Sequence, residues 1–296
     1  MIMPELTKLT YHLDKYLRRL IIDVPQLDSS GFGRNTIGAV PGRQETEDVE
    51  IGLDKYSEDL LETFIKKSQC NVQVYSEHSN RTVGNVGQSD YLITCDPFDG
   101  SGHYMRGIPA EWWAVITVWD PISMKPIWAG AADISRKELY FADSNGVKID
   151  ILDGNEPRSV VASNQIKVSD NSIIAAYLMS PEYIRYWTSK SSRFLQSMEE
   201  NYPRLRIWTD GGACSYPWLA RGITNAYMMF NEPRTEIDPG LGFAWASGVK
   251  VYTVSDSGEL NEYVFDPEKS SGRVPWLIAA CNRRFAVDLV HLTLNG

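Results

Sequence analysis

The sequence predicts an α+β / α/β fold built on mixed sheets. Three observations lead there: helical periodicity opens the chain, closely spaced strands with no helix between them fill residues 114–152, and strand alternates with helix from about residue 172 onward. The change of pattern at Asp153-Gly154-Asn155-Glu156-Pro157 divides the chain into an N-terminal half, 1–153, and a C-terminal half, 154–296.

In the first half, Leu6, Leu9, Leu13, Tyr16, Leu17 and Leu20 recur at helical spacing, so a helix is expected over 5–22, ended by Asp23-Val24-Pro25. Residues 31–42 carry four glycines and a proline and read as a polar, mobile segment that either covers a site or merely links. A short alternating stretch at 49–53 leads to a second helix over about 57–67, which places Asp54 near a helix start as a capping residue or a functional one. Strands follow at 72–75 and 91–95, with Glu77 just past the first, then at 114–119, 127–132, 138–142 and 147–152. Trp112-Trp113 reads as core or as a binding platform.

In the second half, strands are expected at 172–178, 205–208, 225–230, 249–254 and 276–281. Ser180-Pro181-Glu182 starts a helix running to about Asn201, Asp210-Gly211-Gly212-Ala213-Cys214-Ser215 opens another, and Pro239 sits at the first position of a third. Asp238 is then a natural N-cap, and 283–292 forms a closing helix.

Composition excludes several function classes. With 296 residues, 43% hydrophobic and 23% charged, the chain is long enough for a large core and ordinary for a soluble globular protein. A net charge of −9 argues against nucleic-acid polymers, whose binding needs a basic footprint. No apolar run approaches a membrane span, and Met1-Ile2-Met3-Pro4-Glu5 is no targeting signal, so a cytoplasmic place away from membranes is expected. Cys70, Cys95, Cys214 and Cys281 lack C-x-x-C spacing and read as free thiols; His12, His78, His103 and His291 form no metal-binding spacing.

The chemistry concentrates at Asp96-Pro97-Phe98-Asp99-Gly100-Ser101. Two carboxylates three positions apart, stiffened by Pro and Gly at a strand exit, form either an ordinary surface turn or a hard-cation site. Partners elsewhere decide between these readings.

Those partners make the chain resemble the inositol monophosphatase-like family, with its fructose-1,6-bisphosphatases and bisphosphate nucleotidases. Asp96–Ser101 is similar to the family's D-P-x-D-G-[ST] motif. Ser76-Glu77-His78-Ser79 resembles its Gly-Glu-Glu-Ser segment, Leu53-Asp54-Lys55 its Thr-Asp step, Glu236-Ile237-Asp238-Pro239-Gly240 its Trp-Asp-x-Ala-Gly, and Gly211-Gly212-Ala213-Cys214 its substrate loop. The likeness runs from about residue 45 to about 285. Departures are His78 for the second Glu, His103 for a common Asn and Ile237 for Trp.

The resemblance implies a layered α-β-α-β-α sandwich of the sugar-phosphatase type. It implies hydrolysis of a small phosphate monoester, such as an inositol or sugar phosphate or a nucleotide 3′-phosphate, with two or three Mg²⁺ ions. Glu77, Asp96, Asp99, Asp238 and the Phe98 carbonyl would hold the metals, with Glu77 also counted among the catalytic groups. Asp54 and Ser101 would orient the attacking water, and Gly100, Ser101, Gly212 and Ala213 would face the substrate. The family's inositol-holding glutamate has Asn231 and Glu232 as its nearest matches, Glu232 being the candidate substrate ligand. A homodimer, lithium sensitivity and a small phosphorylated metabolite as partner are implied as well. Two alternatives stand beside this: a metal- or phosphate-binding regulatory protein of the same fold without turnover, and a haloacid dehalogenase-like phosphatase, whose D-x-D-G-T spacing is one residue shorter.

Overall fold

Leu9, Leu13, Tyr16, Leu17 and Leu20 are fully buried along one face of the first helix, as their spacing predicts. The computed structural model describes residues 4–45, 48–84, 88–152, 154 and 156–295. In chain order the first half holds α1 (Pro4–Ser30), β1 (Thr36–Ala39), β2 (Val49–Ile51), α2 (Gly52–Ser68), β3 (Val72–Ser76), β4 (Asn80–Val83), β5 (Tyr91–Asp99), α3 (Ser101–Met105), β6 (Trp113–Trp119), β7 (Pro126–Asp133), β8 (Glu138–Asp143), β9 (Gly146–Ile151) and β10 (Arg158–Val160). The second holds β11 (Ile173–Ala175), α4 (Pro181–Lys190), α5 (Ser192–Asn201), β12 (Arg206–Trp208), α6 (Ser215–Arg221), β13 (Ala226–Pro233), α7 (Arg234–Ile237), α8 (Leu241–Ser247), β14 (Lys250–Val254), β15 (Leu260–Glu262), β16 (Arg273–Ala280) and α9 (Arg283–Asn295).

Strands β10-β9-β8-β7-β6-β5-β3-β4 form one eight-stranded sheet, antiparallel except where β3 runs parallel to β5. The second sheet, β12-β11-β13-β16-β14-β15, is parallel at β12-β11-β13 and antiparallel beyond. Helices α1 and α2 cover the outer face of the first sheet; α6 and α8 lie between the sheets; α4, α5 and α9 cover the second. The result is the α-β-α-β-α sandwich with mixed sheets. No described helix is long and apolar enough to cross a membrane.

Several boundaries differ from expectation for physical reasons. Pro25 does not end α1, because Val24 is fully buried and Leu27 packs on the core, and one missing N–H costs less than exposing that face. Helix α2 starts five residues early, at Gly52, because Asp54 Oδ2 accepts the Ile51 N–H at 2.7 Å and satisfies the helix entry. The expected helix 180–201 breaks in two at Ser191. Strand β10 still pairs with β9, so the first sheet continues past the 153/154 junction. Asp153 and Asn155 in that junction, and Met1, Ile2 and Met3, lie outside the described residues.

The motif itself is not a free turn. Strand β5 runs on through Asp99, and its pairing with β6 shifts by one residue between Asp96↔Val115 and Asp99↔Trp113. A bulge at Pro97, which has no N–H to give the ladder, turns the Asp96 and Asp99 carboxylates out of the sheet's alternation.

Candidate metal and phosphate site

Gly100 ends the bulge at φ 108°, and a Cβ there would stand 2.2 Å from the Glu111 carbonyl oxygen, so only glycine fits. The chain then enters α3, and Ser101 Oγ donates to Asp54 Oδ1 at 2.6 Å while lying 3.2 Å from the Phe98 carbonyl oxygen. Behind the bulge, Tyr16 OH donates to the Pro97 carbonyl at 3.2 Å, and Asp96 Oδ1 accepts the Phe98 N–H. Asp99 Oδ2 accepts the Cys214 N–H at 2.9 Å, tying the motif to the second half of the chain.

These groups open onto a cavity of about 420 Å³ lined by residues of both halves of the chain. Its lining brings together Glu77, Asp96, Phe98, Asp99, Gly100, Ser101, Gly212 and Glu232 from the sequence expectations. Asp54 is fully buried behind Ser101 and reaches the cavity only through that hydroxyl. Ala213 is fully buried and lies outside the lining, and the Gly212 N–H is taken by Tyr227 OH at 3.0 Å. Glu232 accepts the Tyr227 hydroxyl from the other side.

Asp238 is displaced from its expected role. It is absent from the cavity lining, its carboxylate accepts Tyr263 OH at 2.7 Å, and its helical backbone ends α7 in place of forming the expected N-cap. Glu236 stands where that ligand was expected: carboxylate oxygens of Asp96, Asp99 and Glu236 all lie within 4.8 Å of one another, and so do those of Asp48, Glu77 and Glu236. The reason lies in the following turn. Thr94 Oγ1 donates to the Asp238 carbonyl at 2.9 Å, and Thr117 Oγ1 to the Pro239 carbonyl at 2.6 Å, which pins that turn on β5 and β6 and leaves the residue two positions earlier facing Asp96.

Burial raises the pKa of Glu77, Asp96 and Asp99 well above the carboxylate range, and like charges add to it: Glu236 and Asp96 on Glu77, Glu236 and Asp54 on Asp96, Asp96 and Glu236 on Asp99. Burial also lifts Asp54 to about 8, against the bonds from Ser101 and Ile51. The Arg43 guanidinium, from the segment between β1 and β2, offsets part of this charge. It pairs with Asp48, and its Nη2 donates to Glu236 Oε1 at 2.7 Å and Thr235 Oγ1 at 3.1 Å. The same nitrogen is 2.6 Å from Glu77 Oε1, but no hydrogen points there, so that buried oxygen accepts no hydrogen bond. A set of converging carboxylate oxygens, with more negative charge than the one guanidinium beside it offsets, fits a hard divalent cation.

His78 is buried beside this cluster with neither ring nitrogen hydrogen-bonded; burial lowers its pKa to about 4, so it adds no charge. Sequence reasoning missed Arg43, Asp48, Asp210 and Glu236. Only Glu236 carried a signal, being an acid inside the matched segment itself. Trp112 and Trp113 are both buried core residues and form no platform.

No family model matches the chain. A fructose-1,6-bisphosphatase of Schizosaccharomyces pombe is 24% identical over 224 residues, 70% of this chain and 59% of that protein. A fructose-1,6-bisphosphatase/inositol-1-monophosphatase of Archaeoglobus fulgidus is 26% identical over 140 residues, 43% of this chain and 53% of that protein. The matches thus span less than two thirds of either relative's length. Among solved structures, the extragenic suppressor protein suhB of Bartonella henselae superposes with a TM-score of 0.69 at 15% identity, covering 97% of this chain and 98% of that one. A dual specific IMPase/NADP phosphatase bound with D-inositol-1-phosphate gives 0.69 at 16% identity, covering 98% and 97%. The fold is the one these structures share, and the resemblance read from the motifs is found again in both comparisons.

Proposed function

We propose that this chain, which has the inositol monophosphatase-like fold, is a phosphomonoesterase that hydrolyses small phosphorylated metabolites by a metal-activated water. The observation that carries the reading is the juxtaposition of the Asp96, Asp99 and Glu236 oxygens with the Ser101–Asp54 pair at the floor of one cavity. Glu77, Asp96, Asp99, Glu236 and the Phe98 carbonyl would hold the metal, with Glu236 replacing Asp238. Two or three Mg²⁺ ions there would neutralise phosphate charge and lower the pKa of a bound water. Ser101 would orient that water and pass its proton to Asp54, the buried carboxylate that already accepts the Ser101 hydroxyl. Gly100 and Ser101 face the phosphate, and Glu232 faces the rest of the substrate.

The same resemblance supports a homodimer and lithium sensitivity. The spacing of three between Asp96 and Asp99, on a bulge in an antiparallel pair, and the Ser101–Asp54 hydrogen bond favour this reading over an aspartyl-phosphate mechanism. The test is phosphate release from a panel of sugar, inositol and nucleotide monophosphates with and without Mg²⁺, repeated with Asp99→Asn. Metal-dependent release that the variant loses supports the reading; metal binding by calorimetry without any release supports the non-catalytic alternative.

A further inference from the structure

Ser101 and His103 lie two residues apart on α3, which places them roughly 200° apart around the helix axis. Ser101 turns back to Asp54. His103 turns to the other half of the chain, where its Nε2 is 2.9 Å from Asp210 Oδ2. Asp210 is held in turn by the Gly211 N–H, 2.9 Å from its Oδ1. The two pairs flank the carboxylate cluster: Asp54 bears electrostatically on Asp96, and Asp210 on Asp99. The loop from Asp210 is pressed onto the cluster as well, since a Cβ at Gly212 would stand 2.6 Å from Glu236 Oε2 and 3.3 Å from Asp99 Oδ2.

In-line displacement at phosphorus needs a base on the side of attack and an acid on the side of departure, because an alkoxide leaving unprotonated is strongly basic. We propose that His103, held by Asp210, is that acid: a catalytic residue that protonates the ester oxygen as it leaves. The proposal rests on the phosphatase reading above and adds the group opposite Asp54. His103 lines the cavity, and its Nδ1 makes no hydrogen bond with any described residue. The hydrogen bond His103 donates to Asp210 raises its pKa against the effect of burial; Asp210 and Glu111 favour the cation, and Arg106 opposes it. Glu232 also faces the cavity, with its Oε1 taken by the Tyr227 hydroxyl and its pKa raised to about 8 by burial and by Glu236.

The step balances. A water oxygen bonds to phosphorus while its proton passes through Ser101 to Asp54. The phosphorus–ester oxygen bond breaks, its electron pair stays on the ester oxygen, and that oxygen takes the His103 proton. Asp54 then loses its proton and His103 regains one through solvent, leaving alcohol and inorganic phosphate.

The experiment compares wild type with His103→Asn on p-nitrophenyl phosphate, whose leaving group needs no proton, and on the alkyl phosphate the wild type hydrolyses best. The expected result is a kcat loss of about 100-fold on the alkyl ester and less than about threefold on the aryl ester. Asp210→Asn, which keeps the ring but weakens its hold, should show the same selectivity with a smaller loss, and it serves as the second variant should His103→Asn fold poorly. Equal losses on both esters, or no loss on the alkyl ester, overturn the proposal. A wild type inactive on both esters contradicts the phosphatase reading itself and the proposal with it.

Discussion

Ser101 Oγ donates a 2.6 Å hydrogen bond to the buried Asp54 Oδ1, joining the first turn of α3 to the first turn of α2. The Asp54 carboxylate is saturated on its other oxygen by the Ile51 N–H, so Ser101 is its outlet to the cavity. Asp54→Asn is therefore expected to lower kcat by about 10²- to 10⁴-fold while leaving KM within a factor of a few. Steady-state kinetics checks this, and a variant with unchanged kcat removes Asp54 from the mechanism.

Glu236 and Asp238 provide a direct contrast. Glu236→Gln should abolish metal-dependent phosphate release and weaken Mg²⁺ binding by calorimetry. Asp238→Asn should keep both, and lose about 2 kcal/mol of stability through its weakened bond from Tyr263. The opposite pattern would return the ligand role to Asp238.

Most of the fold was legible, because α1, the meander β6–β9 and the β13–β16 pair declare themselves by apolar periodicity. Short edge elements such as β1, β4 and β10 carry too few buried side chains to show a period. The site was legible where chemistry and spacing coincide, as at Asp96, Asp99 and Ser101. The choice between Glu236 and Asp238 was not, because both are acids in one segment and only the anchoring of the next turn by Thr94 and Thr117 separates them. Arg43 lay beyond sequence reasoning altogether, since its role depends on three carboxylates, two of which, Glu77 and Glu236, come from distant parts of the chain.

Arg43 occupies space that a metal would share. Arg43→Ala should destabilise the metal-free protein by about 3 kcal/mol, because it leaves buried carboxylates without their counter-ion. The same change should tighten Mg²⁺ binding by about tenfold, roughly 1.4 kcal/mol, because no guanidinium then has to be displaced. Calorimetry and urea unfolding read the two effects separately, and weaker metal binding would show that Arg43 assists the metal.

The raised carboxylates also set the pH dependence of the metal-free protein. Asp54 titrates at about 8 when folded, against roughly 4 for an unfolded Asp, so the folded state holds more protons between those values. Its contribution to stability is complete below about pH 4 and is lost as pH rises through about 8. Urea midpoints of metal-free protein should fall from pH 5 to pH 8.5, and Asp54→Asn or saturating Mg²⁺ should flatten the slope. A midpoint that rises over this range contradicts the electrostatic account of the site.

The most direct measurement of the central claim is inorganic phosphate released by the purified chain from sugar and inositol phosphates, before and after chelation and with Mg²⁺ restored. The account predicts release that stops on chelation, returns with Mg²⁺ and is absent in Asp99→Asn and Glu236→Gln. Release that survives chelation, or persists in both variants, would contradict it.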